Sequence, residues 1–428
     1  MQAGKKIVAG MLALALTIQG VPMQRGTAVQ AAGQTTETAP LQGTDGAITW
    51  KLTEQTPQQG WSQGDKKAYK LTITGKGVMP GYMHMSDGVN TPWQPYNDQI
   101  QTIAVAKGVT RVSEHAFEGM GELTSVTLPS TVTQVSREAF MYCQKLEKIT
   151  LPEALENIGD RAFNYCRALK SIVVPDQVTT IGSLAFAGCT SLESVSLGES
   201  VAQVQGSLFH ECGKLSTLTV AHGNASMRSE DNVLYNKDMS LLIRYAAGKS
   251  DTKFYVPGSV KTIGANAITH CSNLAELQIP SSVTKMDDYA VYYNSALSKL
   301  FFEGNAPKVS VVTSHTGIIG GNPQVYVYTV YNGAIRHNGK TGTDANKDIT
   351  LYKTASSTGW GEGWSTISQK SDETNQYSKG YGFTLQNFSL TDTDTADGTF
   401  GSLKWHYRDD IKELSFSGSG SISDFSLS

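Results

Sequence analysis

Cys143, Cys166, Cys189 and Cys212 follow one another on a constant 23-residue step, and Cys271 comes after a longer, 59-residue interval. Cysteine chemistry has three common outlets: disulfides, metal thiolates and reactive thiols. The even spacing argues against the first two. If each cysteine holds the same place in successive coils, the side chains point in parallel. Their Cβ atoms then lie about 5 Å apart, beyond the roughly 3.5–4.5 Å of a bridge. A single file also offers no tetrahedral cage for a metal. The expectation is free, buried thiols that pack as small apolar groups.

Other chemistry-bearing residues form no constellation. The eight histidines, His84, His115, His210, His222, His270, His315, His337 and His406, show no HExxH or paired-ligand spacing. His115, His210 and His270 fall on the short helical turns and are expected to face solvent or be half covered. Gly75-Lys76-Gly77-Val78-Met79-Pro80-Gly81 mimics a dinucleotide loop, but its spacing is too long and no βαβ unit follows. Gly418-Ser419-Gly420 is no nucleophile elbow. Asp287-Asp288 and Asp409-Asp410 could act as acid and base only inside a pocket, and solvated loop positions are the plainer reading. No catalytic residue, metal ligand or cofactor is assigned, and the chain reads as a non-enzyme.

The elements that position these residues carry the same step. Phe117, Phe140, Phe163, Phe186 and Phe209 keep it without a slip, as do Leu123, Leu146, Leu169, Leu192 and Leu215. Ile268 and Cys271 take up the Phe and Cys places after a gap that implies 36 extra residues inserted in one repeat. Val291 and Asn294 hold those places in the last. Such a period is the signature of a solenoid, whose coils cannot bury their apolar faces singly. Within a coil, Val126 and Leu128 alternate as in a half-buried strand, Pro129 and Ser130 turn the chain, and Val132 and Val135 open a second extended piece. Ala139, Phe140, Cys143 and Leu146 then fall at i, i+1, i+4 and i+7, which predicts a brief helical turn facing the core.

Charge and composition narrow the function classes. The 428-residue chain has a formal charge of −3 and no basic run, so nucleic acid is not an expected partner. Residues 1–31 read as a secretory signal: Lys5 and Lys6, a short apolar run, then small residues before a cleavage point. Its removal, with Lys5, Lys6 and Arg25, takes the formal charge from −3 to −6. Residues 32–45 read as a flexible leader and 46–108 as an N-terminal cap with Trp50, Trp93 and Tyr96 as lids. The repeat array occupies 109–302, with a hairpin insertion near 223–256. Residues 303–367 read as a C-terminal cap. In 368–428, Trp405 and the LSFSGSGSIS run echo Trp50 and LTITGKGVMP, which points to a second module opening before Ser428 or to a short degenerate strand pair.

The run from Val178-Thr179-Thr180-Ile181-Gly182 through Ala185-Phe186, Cys189, Leu192, Val195 and Leu197 resembles the leucine-rich repeat of BspA-type bacterial surface proteins. The likeness extends to YKLTITGKGVMPGY and TPWQPYNDQI upstream, NVLYNKDMSLLIRY in the insertion, and ITLYKTASSTGWGEGWSTI downstream, covering roughly residues 46–367. The resemblance implies an α/β, β-rich leucine-rich-repeat solenoid with 23-residue coils, capped at both ends. It also implies a secreted or surface-displayed protein with an adhesive role.

The expected core comprises Phe117, Phe140, Phe163, Phe186, Phe209 and the cysteines at 143, 166, 189, 212 and 271. The outward strand positions Thr127, Lys148, Thr150, Ser171, Ser194, Ser196, Thr217 and Thr219 make a hydroxyl-rich strip that could bind an extracellular protein or glycan. Serine and threonine also simply suit exposed strands. Tyr235 and Tyr245 of the hairpin either project as a second contact or close the hairpin on the body. Three functions compete: an adhesin-like binding protein, a structural spacer associated with the cell wall, and a targeting appendage of a longer exported enzyme.

Overall fold

The computed structural model describes residues 41–309 apart from 89 and 90, together with 311–318, 326–332, 335–336, 350–354, 356–360, 366–371, 377–381, 384–388, 395–400, 403–408 and 413–418. The expected signal at 1–31 lies outside the described residues. Short strands stack in parallel from coil to coil, as a solenoid of about nine coils of roughly 23 residues. Ser125–Thr127, Lys148–Thr150, Ser171–Val173, Ser194–Leu197 and Thr217–Val220 occupy the same place in successive coils. Where they pair, they do so in the register of the repeat, Ser125 against Lys148 and Ser194 against Thr217. A second ladder joins Val109–Val112, Gln134–Val135, Asn157–Ile158 and Thr180–Ile181.

Val126, Ile149, Ile172, Val195 and Leu218 point inward from the first ladder, between outward neighbours. Behind them the phenylalanines form a file from Phe117 to Phe209, with successive centroids 5.3 to 6.1 Å apart. Each is fully buried, which removes enough apolar surface to contribute about 2–3 kcal/mol. Trp93 continues the file at 5.9 Å from Phe117, and Trp50 meets Trp93 edge-on.

The helical turn expected around Phe140 does not form. Phe117, Phe140 and Phe163 send their N–H groups to the carbonyls of Ala139, Ala162 and Ala185, each in the next coil, at 2.8–2.9 Å. An N–H spent on the neighbouring coil is unavailable for an i−4 bond. Glu138 and Tyr142, flanking Phe140, also take positive φ, which no right-handed helix tolerates. The apolar spacing that reads as a helical face is a chain of tight turns. Among the described residues, the one short 3₁₀ piece in this part of the coil is Gly206–Phe209.

The long interval before Cys271 holds two coils rather than one repeat with an insertion. The Tyr245 N–H bonds the Ala267 carbonyl at 2.8 Å, the same link that Phe163 makes to Ala185. Tyr245 thus holds the Phe place one coil before Ile268, and Gly248 holds the Cys place. The coil between Phe209 and Tyr245 carries the excess, as an antiparallel meander of Met227–Glu230, Val233–Asn236 and Leu241–Tyr245. Its last strand pairs in parallel with Thr262–Ile263 of the next coil.

At the N-terminal side, Gln42–Asp45 is a strand paired antiparallel with Ile48–Gln55, so regular structure starts inside the stretch read as a leader. Ile48–Gln55 pairs with Ala68–Gly75, which hands the sheet to the parallel strand Ile100–Val105. On the other side a separate parallel sheet runs through Lys253–Tyr255, Glu276–Ile279, Lys299–Phe302, Thr350–Thr354 and Thr384–Phe388. Trp360 packs edge-on to Phe302 at 5.0 Å. Thr395–Phe400, Leu403–Arg408 and Glu413–Gly418 form a separate antiparallel sheet.

Candidate functional site

The strip of outward strand residues is real as geometry. Thr127, Lys148, Thr150, Ser171, Thr217 and Thr219 are exposed, and Ser194 and Ser196 are half-buried. Val173 interrupts the strip at 67% exposure. The register that lines these residues up also leaves them on a single sheet face.

A concavity lies on the turns. Two columns of left-handed residues run along the coils. His115, Glu138, Arg161 and Leu184 have φ between 50° and 57°, and Gly119, Tyr142, Tyr165, Gly188 and Glu211 between 58° and 74°. A non-glycine residue there costs about 1 kcal/mol, offset by bonds such as Tyr142 N–H to the Asn164 carbonyl and Glu138 N–H to Asp160, both 2.9 Å. Tyr142 and Tyr165 stack at 5.3 Å. The ladder stops at Gly188, where a Cβ would stand 2.4 Å from the Tyr165 ring. Between the columns lies a groove of about 450 Å³, bounded by Arg137, Arg161, Tyr142, Tyr165, His84 and Glu211.

At the His84 end the groove reaches the buried carboxylate of Glu138, near which a second buried carboxylate, Glu118, also lies. Glu138 Oε1 accepts from Arg137 at 3.0 Å and from Arg161 at 3.2 Å. Burial alone would raise the Glu138 pKa, but these two guanidiniums outweigh it and hold the carboxyl below its usual value. Glu118 Oε2 accepts from the Met85 N–H at 3.1 Å and lies 2.9 Å from His115 Nδ1. His115, expected to face solvent or to be half covered, is buried because this carboxylate draws it inward. His210 and His270 are half-buried and meet edge-on at 4.8 Å.

Sequence reasoning missed this cluster because no local motif contains it. Its one legible signal is the period: Glu138 lies one coil beyond His115, with Glu118 three residues after His115. His84 arrives from the loop after Ala68–Gly75, which only the fold brings over the first coils.

The five cysteines are free and buried. Burial pushes every thiol pKa up, Cys212 and Cys271 to about 12, so none is a ready thiolate. Tyr235 and Tyr245 do not project: both are buried in the body, at 2% and 1% exposure, where hydrophobic contact outweighs display. Of the acidic pairs, Asp287 is bound by Lys285 at 2.6 Å, and Asp409-Asp410 lies outside the described residues.

Comparison with known proteins places this architecture. The family model for the BspA type leucine-rich repeat region matches in six copies over residues 96–231 and 246–312. A leucine-rich repeat protein of Eubacterium ventriosum is 24% identical, with a TM-score of 0.52 over 73% of this chain and 72% of its own. A leucine-rich cell surface protein of Faecalibacterium prausnitzii is also 24% identical, with a TM-score of 0.43 over 61% of this chain and 76% of its own. A leucine-rich repeat protein of T. pallidum is 31% identical over 35% of this chain and 73% of its own, with a TM-score of 0.29. No curated protein matches the chain.

Proposed function

The chain belongs to the BspA-type leucine-rich-repeat family, and from that premise we propose that it is an exported, cell-surface binding protein, adhesin-like and non-catalytic. Its ligand is a polar extracellular glycan seated in the turn-side groove. One observation carries this reading: the groove's size, about 450 Å³, together with its lining of two guanidiniums, phenol edges and a carboxylate. That volume lies within the roughly 300–1,000 Å³ of small-ligand sites. The strand strip, by contrast, is a face suited to a protein partner. The half-exposed Arg137 and Arg161 keep donors turned outward after serving Glu138, which suits hydroxyl or carboxylate oxygens of a sugar.

The test is retention of the full chain on immobilised glycans, mucin and matrix proteins. The variants are Arg137→Glu in the groove and Thr150→Lys on the strip. Loss of glycan retention with Arg137→Glu alone supports the groove. Loss of protein retention with Thr150→Lys alone moves the binding to the strip. Absence of retention on every surface favours the spacer reading, which the extension of a parallel sheet to Thr384–Phe388 also supports.

A further inference from the structure

We propose that His84, Glu118 and Glu138 form a binding site for a divalent transition metal of the zinc class at the head of the turn-side groove. One ligand atom from each of the three lies within 4.8 Å of the others. The two glutamates are buried at 4% and 2% exposure. Each has one oxygen held and one spare. Glu118 Oε2 is held by His115 and the Met85 N–H, and Glu138 Oε1 by Arg137 and Arg161. Glu118 Oε1 and Glu138 Oε2 receive no hydrogen bond although both are fully buried. A buried carboxylate oxygen without a donor is costly and calls for a partner.

Imidazole nitrogens, rather than donors in bonding geometry, face these spare oxygens. His84 Nε2 is 3.0 Å from Glu118 Oε1, and His115 Nδ1 is 3.4 Å from Glu138 Oε2. Zinc–ligand bonds of about 2.0–2.1 Å give a tetrahedral edge of about 3.3 Å, so His84 Nε2 and Glu118 Oε1 already stand near ligand separation at 3.0 Å, and the Glu138 ligand atom, within 4.8 Å of both, has to close on them. The remaining contacts match what holds metal ligands in place, where the non-ligating atom of each group is fixed by a neighbour. His84 Nδ1 lies 2.8 Å from Ser86 Oγ, whose hydroxyl donates to Asp87 at 3.0 Å and so leaves a lone pair for an Nδ1 proton. The Ser86 N–H also approaches Nδ1, at 3.1 Å, and favours the opposite tautomer, with the proton on Nε2. Loading the metal moves that proton from Nε2 to Nδ1 and exchanges one Ser86 contact for the other. With three protein ligands the fourth position opens into the groove, which His84 and Glu138 both line.

The experiment strips the full chain with EDTA and titrates it with zinc chloride alone, counting bound metal by equilibrium dialysis. Cobalt(II) serves as a spectroscopic probe. The expected result is one equivalent bound, weakened at least tenfold by His84→Ala and by Glu138→Gln. Cobalt bands should be free of thiolate charge transfer. His84 is on a loop and partly exposed, so His84→Ala keeps the test valid should Glu138→Gln misfold, with circular dichroism reporting the fold. Absence of stoichiometric uptake overturns the site. So does uptake unchanged in a folded His84→Ala chain, or cobalt spectra showing thiolate ligation by the cysteine file.

Discussion

Asn294 Nδ2 donates to the Ile268 carbonyl, 26 residues upstream, at 2.9 Å. The Cys166 thiol makes the same link to the Phe140 carbonyl at 3.2 Å, and Cys143, Cys189 and Cys212 repeat it to Phe117, Phe163 and Phe186. The place marked by cysteine is therefore a donor position as much as an apolar one. Asparagine fits it by supplying a stronger N–H. The Asn294 side-chain oxygen also accepts the Cys271 N–H at 2.9 Å. Asn294→Ala should accordingly cost about 2–4 kcal/mol, since two buried backbone groups lose partners. Cys166→Ala should cost about 1–2 kcal/mol. Urea unfolding of each variant checks the order, and equal losses would contradict it.

Arg244 performs the corresponding task where the repeat is interrupted. Its buried guanidinium donates to the carbonyls of Phe209 at 3.1 Å and Asn266 at 2.7 Å, and the Phe209 bond stands where a cysteine would otherwise come from the next coil. No carboxylate pairs with it among the described residues. Arg244→Met should destabilise by about 2–4 kcal/mol through orphaned carbonyls. Arg244→Lys should not rescue, because one ammonium cannot span the same acceptors. Denaturant midpoints of the two variants decide this.

Phe163 touches Phe140 at 5.3 Å and Phe186 at 5.5 Å with no exposed surface. Phe163→Ala should cost about 3–5 kcal/mol by opening a cavity between coils. A near-neutral change in melting temperature would mean that the file relaxes around the gap.

Burial lowers the His270 pKa to about 4, helped by His210 and Arg244, so the ring is neutral in the folded state at neutral pH. The unfolded chain takes up that proton near 6.5. Between those values the unfolded state binds more protons, so this group makes stability fall as pH drops from about 6.5 to 4, and the loss levels off below. Melting temperature against pH should show that slope, and His270→Gln should flatten it. Glu211, 3.8 Å from His210, works in the opposite sense on the neighbouring ring.

The thiols should be silent in the native chain. All five are buried, with pKa values raised by desolvation. A thiol reagent at neutral pH should modify none before denaturation and five after. Early modification of a single cysteine would show that its coil opens locally.

The constant step was legible in the sequence because a solenoid repeats its environment: each Phe, Cys and Leu meets the copy of itself one coil away. That fixed the phenylalanine file, the strand register, the free cysteines and the outward strip. Three features were decided only by the tertiary structure. The turns around Phe140 are not helical, since their N–H groups bond the next coil, a partner absent from any local window. Tyr245 and Gly248 hide a full coil, because burial and backbone bonding define the place and tolerate other side chains in it. The meeting of His84 with Glu118 and Glu138 depends on a loop crossing earlier coils. Periodicity reports what recurs, whereas a site built from one non-repeating loop and two repeat positions exists only once the chain has folded.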